Sequence, residues 1–252
     1  MYKIPANTLF LGKQVVFVPE CHSTNTLALQ LSHKPSTTEG TVVITNHQTA
    51  GRGQRGNTWE AAPGMNLTFS TILRPAFLPV EDQFYLTIAV SLALHDYLGT
   101  KTGKPIAIKW PNDILVHEKK ICGILIENQV QGSRLTTAVA GIGLNVNQQH
   151  FDTPTAMSLI QVTQKEDNLE AVLHGLLECL EARYLQLRRQ DHDSLKEAYL
   201  SRLYARHEQR RFSSPQETFE GSIRGVDESG RLAVETADGL KYFGIKEVSL
   251  LR

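Results

Sequence analysis

The segment Gly51-Arg52-Gly53-Gln54-Arg55-Gly56-Asn57-Thr58-Trp59 separates two apolar stretches, Thr41-Val42-Val43-Ile44-Thr45 and Met65-Asn66-Leu67-Thr68-Phe69-Ser70. Both stretches read as strands, so the chain is expected to hold a mobile loop on a rigid sheet. Glycine lets a backbone approach a ligand closely and take φ > 0. Arginine presents a planar fork of donors that suits carboxylate and phosphate. The spacing differs from a dinucleotide fingerprint, because no helix pattern starts at Gly56, and from a P-loop, because no Gly-Lys-Ser/Thr closes it. A flexible surface connection is the plain alternative. Two arginines flanked by glycine weigh against it, since solubility needs neither.

Other strands are expected at Gln14 to Val18, Asn66 to Leu73, Pro105 to Lys109, Ile114 to Val116, Ile121 to Glu127 and Leu135 to Ile142. Ser23-Thr24-Asn25 ahead of Leu27, Ala28, Leu29 and Leu31 fits an N-capped helix. The run from Val80 to Leu98 has the length and apolarity of a buried helix. Leu169, Val172, Leu173, Leu176, Leu177, Leu180, Tyr184 and Leu187 follow helical spacing, and a shorter helix is expected over Ser194 to Leu203. Beyond Arg206 the pattern changes to short strands with turns, which reads as a small antiparallel barrel. The boundary falls near residue 207, giving units 1–206 and 207–252.

With 252 residues, the chain is long enough for one large domain and a small appendage. Lys+Arg and Asp+Glu are both 26, so no global basic surface suggests nucleic acid as the main partner. Cys21, Cys122 and Cys179 are too few and too far apart for a disulfide framework or a zinc motif. A reducing compartment is expected. No signal peptide and no apolar run of membrane-spanning length are visible, and the expected location is the cytoplasm.

Lys109-Trp110-Pro111-Asn112-Asp113 ends one strand pattern and begins another. Proline keeps Trp110 out of the α region. Lys109 either snorkels to solvent or supplies a point charge to a developing anion. Gly123, inside the strand Lys120 to Glu127, marks a bulge or the close approach of a ligand. Gly141-Ile142-Gly143-Leu144-Asn145 repeats that theme. In this order, Ser23-Thr24-Asn25, Gln48 with the glycine-arginine loop, Lys109 to Asp113, Gly123-Ile124-Leu125 with Glu127, and Gly141 to Asn145 resemble the catalytic domain of the biotin protein ligases. The C-terminal pattern is similar to that family's SH3-like domain.

The resemblance implies an α+β fold: a class II synthetase-like mixed sheet packed with helices, plus a small C-terminal SH3-like β-barrel. It implies that biotin and ATP, with Mg2+, form biotinyl-5′-adenylate, and that a lysine of a biotin carboxyl carrier protein then takes the biotinyl group. On the family pattern Arg52 and Lys109 would be catalytic. Ser23, Thr24, Asn25, Gln48, Gly51, Gly53, Gln54, Gly123 and Ile124, with those two cations, would hold biotin. Arg52, Arg55, Trp59, Asn112 and Asn145 would face the nucleotide. No residue is assigned as a metal ligand, although Asp113 could assist through magnesium.

The family commonly has arginine where this chain has Gln54, and often a basic residue where it has Asn57. The loop is therefore expected to hold the adenylate with less electrostatic help. Bifunctional relatives carry an N-terminal winged-helix domain, whereas here the catalytic pattern begins within the first two dozen residues. The expectation is a ligase with no DNA partner and no membrane partner. A homodimer through an exposed strand edge is also in view. The competing readings are a lipoate-type acyl ligase and a non-catalytic biotin-binding protein.

Overall fold

The computed structural model describes residue 5 and residues 7–251, apart from the side chain of Arg55. The elements follow as β1 (Val15–Cys21), α1 (Thr24–Ser32), β2 (Val42–Gln48), β3 (Leu67–Leu73), α2 (Phe84–Thr102), β4 (Ile106–Lys109), β5 (Asp113–Val116), β6 (Lys119–Gln131), β7 (Arg134–Leu144), α3 (Leu159–Thr163), α4 (Leu169–Arg188) and α5 (His192–Ser201). The first seven strands form one sheet in the order β1-β2-β3-β7-β6-β5-β4. Its β1–β2 pair is parallel and the remaining pairs are antiparallel.

Strand alternation gives the sheet two unlike faces. Val42, Ile44, Leu67, Phe69, Ala140, Ile142 and Leu144 are buried in the main core beneath α2 and α4. This face explains why α2 is buried along most of its length, from Leu86 to Leu98. Gly103, left-handed at φ 61°, ends that helix. On the opposite face Val43, Ile72 and Val139 pack against Ala28 of α1 in a smaller cluster. Farther along, this face carries Ser70, Gly141, Gly143, Gly123 and Leu125, and α1 does not cover all of it. Paired glycines, Gly123 against Gly143, leave a shallow floor where side chains would otherwise stand.

One bulge changes the reading of β6. The β5–β6 register shifts between Ile114 and Leu115, with Ile114 opposite Cys122 and Leu115 opposite Lys120. Strict alternation from Gly123 would send Lys120 into the core. The extra residue instead turns it to the glycine face. The Lys120 backbone pairs with residues 155–157, donating to Thr155 O at 2.7 Å and accepting from Met157 N at 2.8 Å. Cys122 stays on the core side, fully buried, and burial pushes its thiol up, away from thiolate chemistry.

The remaining strands, β8 (Gln209–Ser213), β9 (Thr218–Val226), β10 (Leu232–Thr236), β11 (Gly239–Phe243) and β12 (Ser249–Leu250), form an antiparallel sheet in the order β11-β10-β9-β8-β12. β8, rich in arginine and glutamine, is absent from the sequence pattern because alternation there is masked by long polar side chains. Phe212, Ile223, Val226 and Leu232 nevertheless join the main core. Trp110 Nε1 donates to Gly230 O at 2.9 Å in a buried contact across the two sheets. The mixed sheet with helices and the small antiparallel C-terminal unit are the architecture expected from the sequence.

Candidate active site

A cavity of about 520 Å³ opens over the glycine floor. Its far wall is the start of α1. Ser23 has the extended backbone of an N-cap (φ −157°, ψ 133°), but its side chain makes no capping bond. Gln48, at the end of β2, does that work instead. Its Oε1 accepts from Thr24 N at 2.7 Å and from Thr24 Oγ1 at 3.1 Å. The Ser70 hydroxyl donates to Asn25 Oδ1 at 2.6 Å and lies 2.8 Å from Thr24 Oγ1. Asn25 Nδ2 reaches Leu125 O at 3.1 Å and Glu127 Oε2 at 2.8 Å. A Cβ on Gly141 would fall 2.2 Å from Asn25 Oδ1, so only glycine there lets α1 dock this closely. The result is a polar shelf of buried Ser23, Thr24 and Asn25.

The glycine-arginine loop forms the near wall. Trp59 N donates to Gly51 O at 3.0 Å and Gly53 N to Asn57 O at 2.7 Å, so the loop folds back on itself. Its Arg52 guanidinium pairs with Glu127 at 2.8 Å. The Trp59 indole lies over the floor, 2.3 Å from where a Cβ on Gly143 would stand. Lys120 Nζ sits 5.6 Å from the Trp59 ring centroid and 2.7 Å from Asp113 Oδ1. Behind Trp59 lies a second chamber of about 460 Å³, bounded by Trp59, Lys120, Asn145, Gln148, His150 and Phe151. Asn145 Nδ2 donates to Met157 O at 3.0 Å. Gln54 Oε1, Trp59 Nε1 and Asn145 Oδ1 are buried without a protein hydrogen-bond partner. Such groups are costly unless a ligand or water meets them.

Ser23, Thr24, Asn25, Gln48, Arg52, Gly53, Gln54 and Gly123 therefore converge on the first chamber, and Trp59 borders both. Asn112 also borders the first chamber, while Asn145 belongs to the second. Gly51 is packed behind the wall, where a Cβ would be 2.3 Å from Trp59 O. Ile124 offers only backbone, because its side chain is in the core, and its N–H and C=O are both tied to Asn112. Asn112 thus braces the floor. The Arg55 side chain lies outside the described residues.

Lys109 is not among the residues brought together at the first chamber. It lines a crevice facing β8 to β12, with Trp110, Tyr204 and Lys246. The strand order puts its end of β4 at the sheet edge, beyond β5. Lys120 instead borders both chambers. The signal was present as a lysine two residues before Cys122-Gly123, but alternation pointed it inward. Among the described residues no group of three or more His, Cys, Asp or Glu is placed to hold a metal ion. Asp113 lines the first chamber and is paired with Lys120.

Residues 18–145 match the Biotin/lipoate A/B protein ligase family, and residues 211–251 match the Biotin protein ligase C terminal domain. The chain belongs to the biotin/lipoate A/B protein ligase family. Across 248 residues it is 32% identical to the Bifunctional ligase/repressor BirA of Bacillus subtilis, covering 96% of this chain and 76% of that protein. It is 31% identical over 228 residues to the Biotin--[acetyl-CoA-carboxylase] ligase of Mycobacterium tuberculosis, covering 88% and 84%. The biotin protein ligase of Aquifex aeolicus in complex with biotin and ATP superposes with a TM-score of 0.79 at 26% identity, covering 95% of this chain and 99% of that one. As a family member, the chain is an ATP-dependent biotin protein ligase. No helix among the described residues is long and apolar enough to cross a membrane.

Proposed function

We propose that the first chamber holds biotin, that the second holds the adenosine of ATP, and that the two meet at Lys120. The observation that carries this reading is the single lysine bordering both chambers beside Trp59. Ser23, Thr24 and Gln48 suit a ureido group, which has donors and an acceptor on one rigid ring. A shelf of this kind rejects acids that lack those groups. Asn145 Oδ1, an unpaired buried acceptor, suits the exocyclic amine of adenine. Magnesium would arrive with the nucleotide and offset phosphate charge, and Asp113, which lines the first chamber, is the carboxylate that would meet it.

In the first step the biotin carboxylate attacks the α-phosphorus and pyrophosphate leaves. Lys120 and Arg52 counter the charge on the crowded oxygens. In the second step the ε-amine of the carrier lysine attacks the acyl carbon, AMP leaves and an amide forms with loss of a proton. Lys120 is then placed to stabilise the oxyanion. The Trp59 indole and the loop shield the adenylate from water. The acceptor in this reading is the carboxyl carrier protein of acetyl-CoA carboxylase.

The test is ATP–pyrophosphate exchange with biotin, followed by label transfer to a biotin carboxyl carrier domain. Absence of both exchange and transfer overturns the reading. Exchange with lipoate in place of biotin would favour the other acyl-ligase chemistry. For assembly, the outer strand β1 pairs on one side only, and a second copy could extend the sheet there. Sedimentation of the full chain at micromolar concentration distinguishes monomer from dimer. Three free cysteines suit a reducing cytoplasm.

A further inference from the structure

The sequence motif contains Glu127, but the reaction outlined above gives it no task. It stands on the floor face of β6, on the same side as Gly123 and Leu125, and is half-buried. Its Oε2 receives two donors, Arg52 Nη2 at 2.8 Å and Asn25 Nδ2 at 2.8 Å. Glu127 therefore links the loop cation to the shelf that begins α1. A carboxylate entering the chamber and Glu127 would compete for one guanidinium, and like charges that share a site repel. The second cation of the chamber, Lys120, is paired in the same manner with Asp113.

We infer that Glu127 is a positioning and specificity-determining residue: it holds Arg52 over the chamber as a stand-in for the substrate carboxylate and is displaced by it. This rests on the reading of the chamber as the site of acid activation. With Glu127 in place, the chamber mouth is close to neutral and a stray anion gains little from Arg52. An acid whose head group is already held on the shelf has the additional binding energy to break the pair. The pair is partly solvent-exposed, so its strength is modest. Pairs of this kind are worth about 0.2–1 kcal/mol, a binding factor of about 1.4 to 5.

Glu127→Gln removes the charge and keeps an oxygen for Asn25 Nδ2. Titration calorimetry on the full chain with biotin, and with its neutral alcohol analogue biotinol, gives the test. Glu127→Gln should bind biotin about 1.4- to 5-fold more tightly and biotinol unchanged. In an Arg52→Ala background the same substitution should have no effect on biotin. An unchanged melting temperature checks that the shelf is intact; if Gln disturbs it, the comparison is repeated with Glu127→Asp, which keeps the charge and withdraws it from Arg52. Weaker or unchanged biotin binding, or equal gains for both ligands, overturns the inference alone. Failure of the unaltered chain to bind biotin overturns the acid-activation reading, and this inference with it.

Discussion

Replacing Lys120 with alanine removes the cation that Asp113 holds at 2.7 Å beside both chambers. Pyrophosphate exchange should fall about 10²- to 10³-fold, the usual cost of losing one charge-stabilising group. Lys109→Ala, in the adjoining crevice and not lining the chamber, should stay within a few-fold of the unaltered enzyme. The reverse ranking would sink the assignment. Gly143→Ala puts a methyl group 2.3 Å from the Trp59 ring. It should expel the indole, red-shift the tryptophan emission and lower adenylate formation while the fold persists. The loop arginine, the shelf at Ser23 and Thr24, and the glycines of the floor were legible in the sequence, because glycine and arginine at close spacing serve few structural needs. Lys120 was not legible. Its orientation depends on a register shift against β5, a fact about a neighbouring strand rather than about the local pattern.

Long elements with one dominant period were readable: α2, α4 and the strands of the main sheet lie close to their expected places. The start of α2 moved from Val80 to Phe84 because Val80–Asp82 forms a separate 3-10 turn behind Pro79. α4 also carries Glu181, a buried carboxylate whose purpose no periodicity reveals. It accepts from the backbone N–H groups of Leu9, Phe10 and Leu11 at 2.5, 2.8 and 2.9 Å. Glu181→Ala strands these donors and should cost about 2–4 kcal/mol in urea unfolding. α2 and α4 are joined by Asp96 and Arg183 at 2.6 Å. Burial alone would raise the Asp96 carboxyl, but hydrogen bonds from His95 and Arg183 outweigh it and hold the group below its ordinary value. A depressed carboxyl stabilises the fold above the unfolded value of about 3.9 and loses that contribution as pH falls through the folded value. The stability gap between the unaltered chain and Asp96→Asn should therefore be wider at pH 6 than at pH 3.5. Equal gaps at the two pH values would remove Asp96 from the account.

At the scale of the whole molecule, the C-terminal sheet is docked by a few specific contacts. Trp110 Nε1 donates to Gly230 O, and Gly230 lies so close to Phe84 that a Cβ there would fall 2.3 Å from its ring. Trp110→Phe deletes a buried hydrogen bond and should cost about 1–2 kcal/mol, with faster proteolysis between α5 and β8 as the local sign. The crevice at this seam reaches Gln54 and Asn57, so the loop touches the appended sheet as well as the chamber. Strand and turn signals made a C-terminal unit visible in the sequence, but not this seam, which pairs residues more than a hundred positions apart. Trp59 carries a different consequence. One flat ring is the party wall between two rooms, so a molecule occupying both must bend around its edge. Rigid, straight mimics of the joined product should fail to bind, and hinged ones of the same composition should succeed.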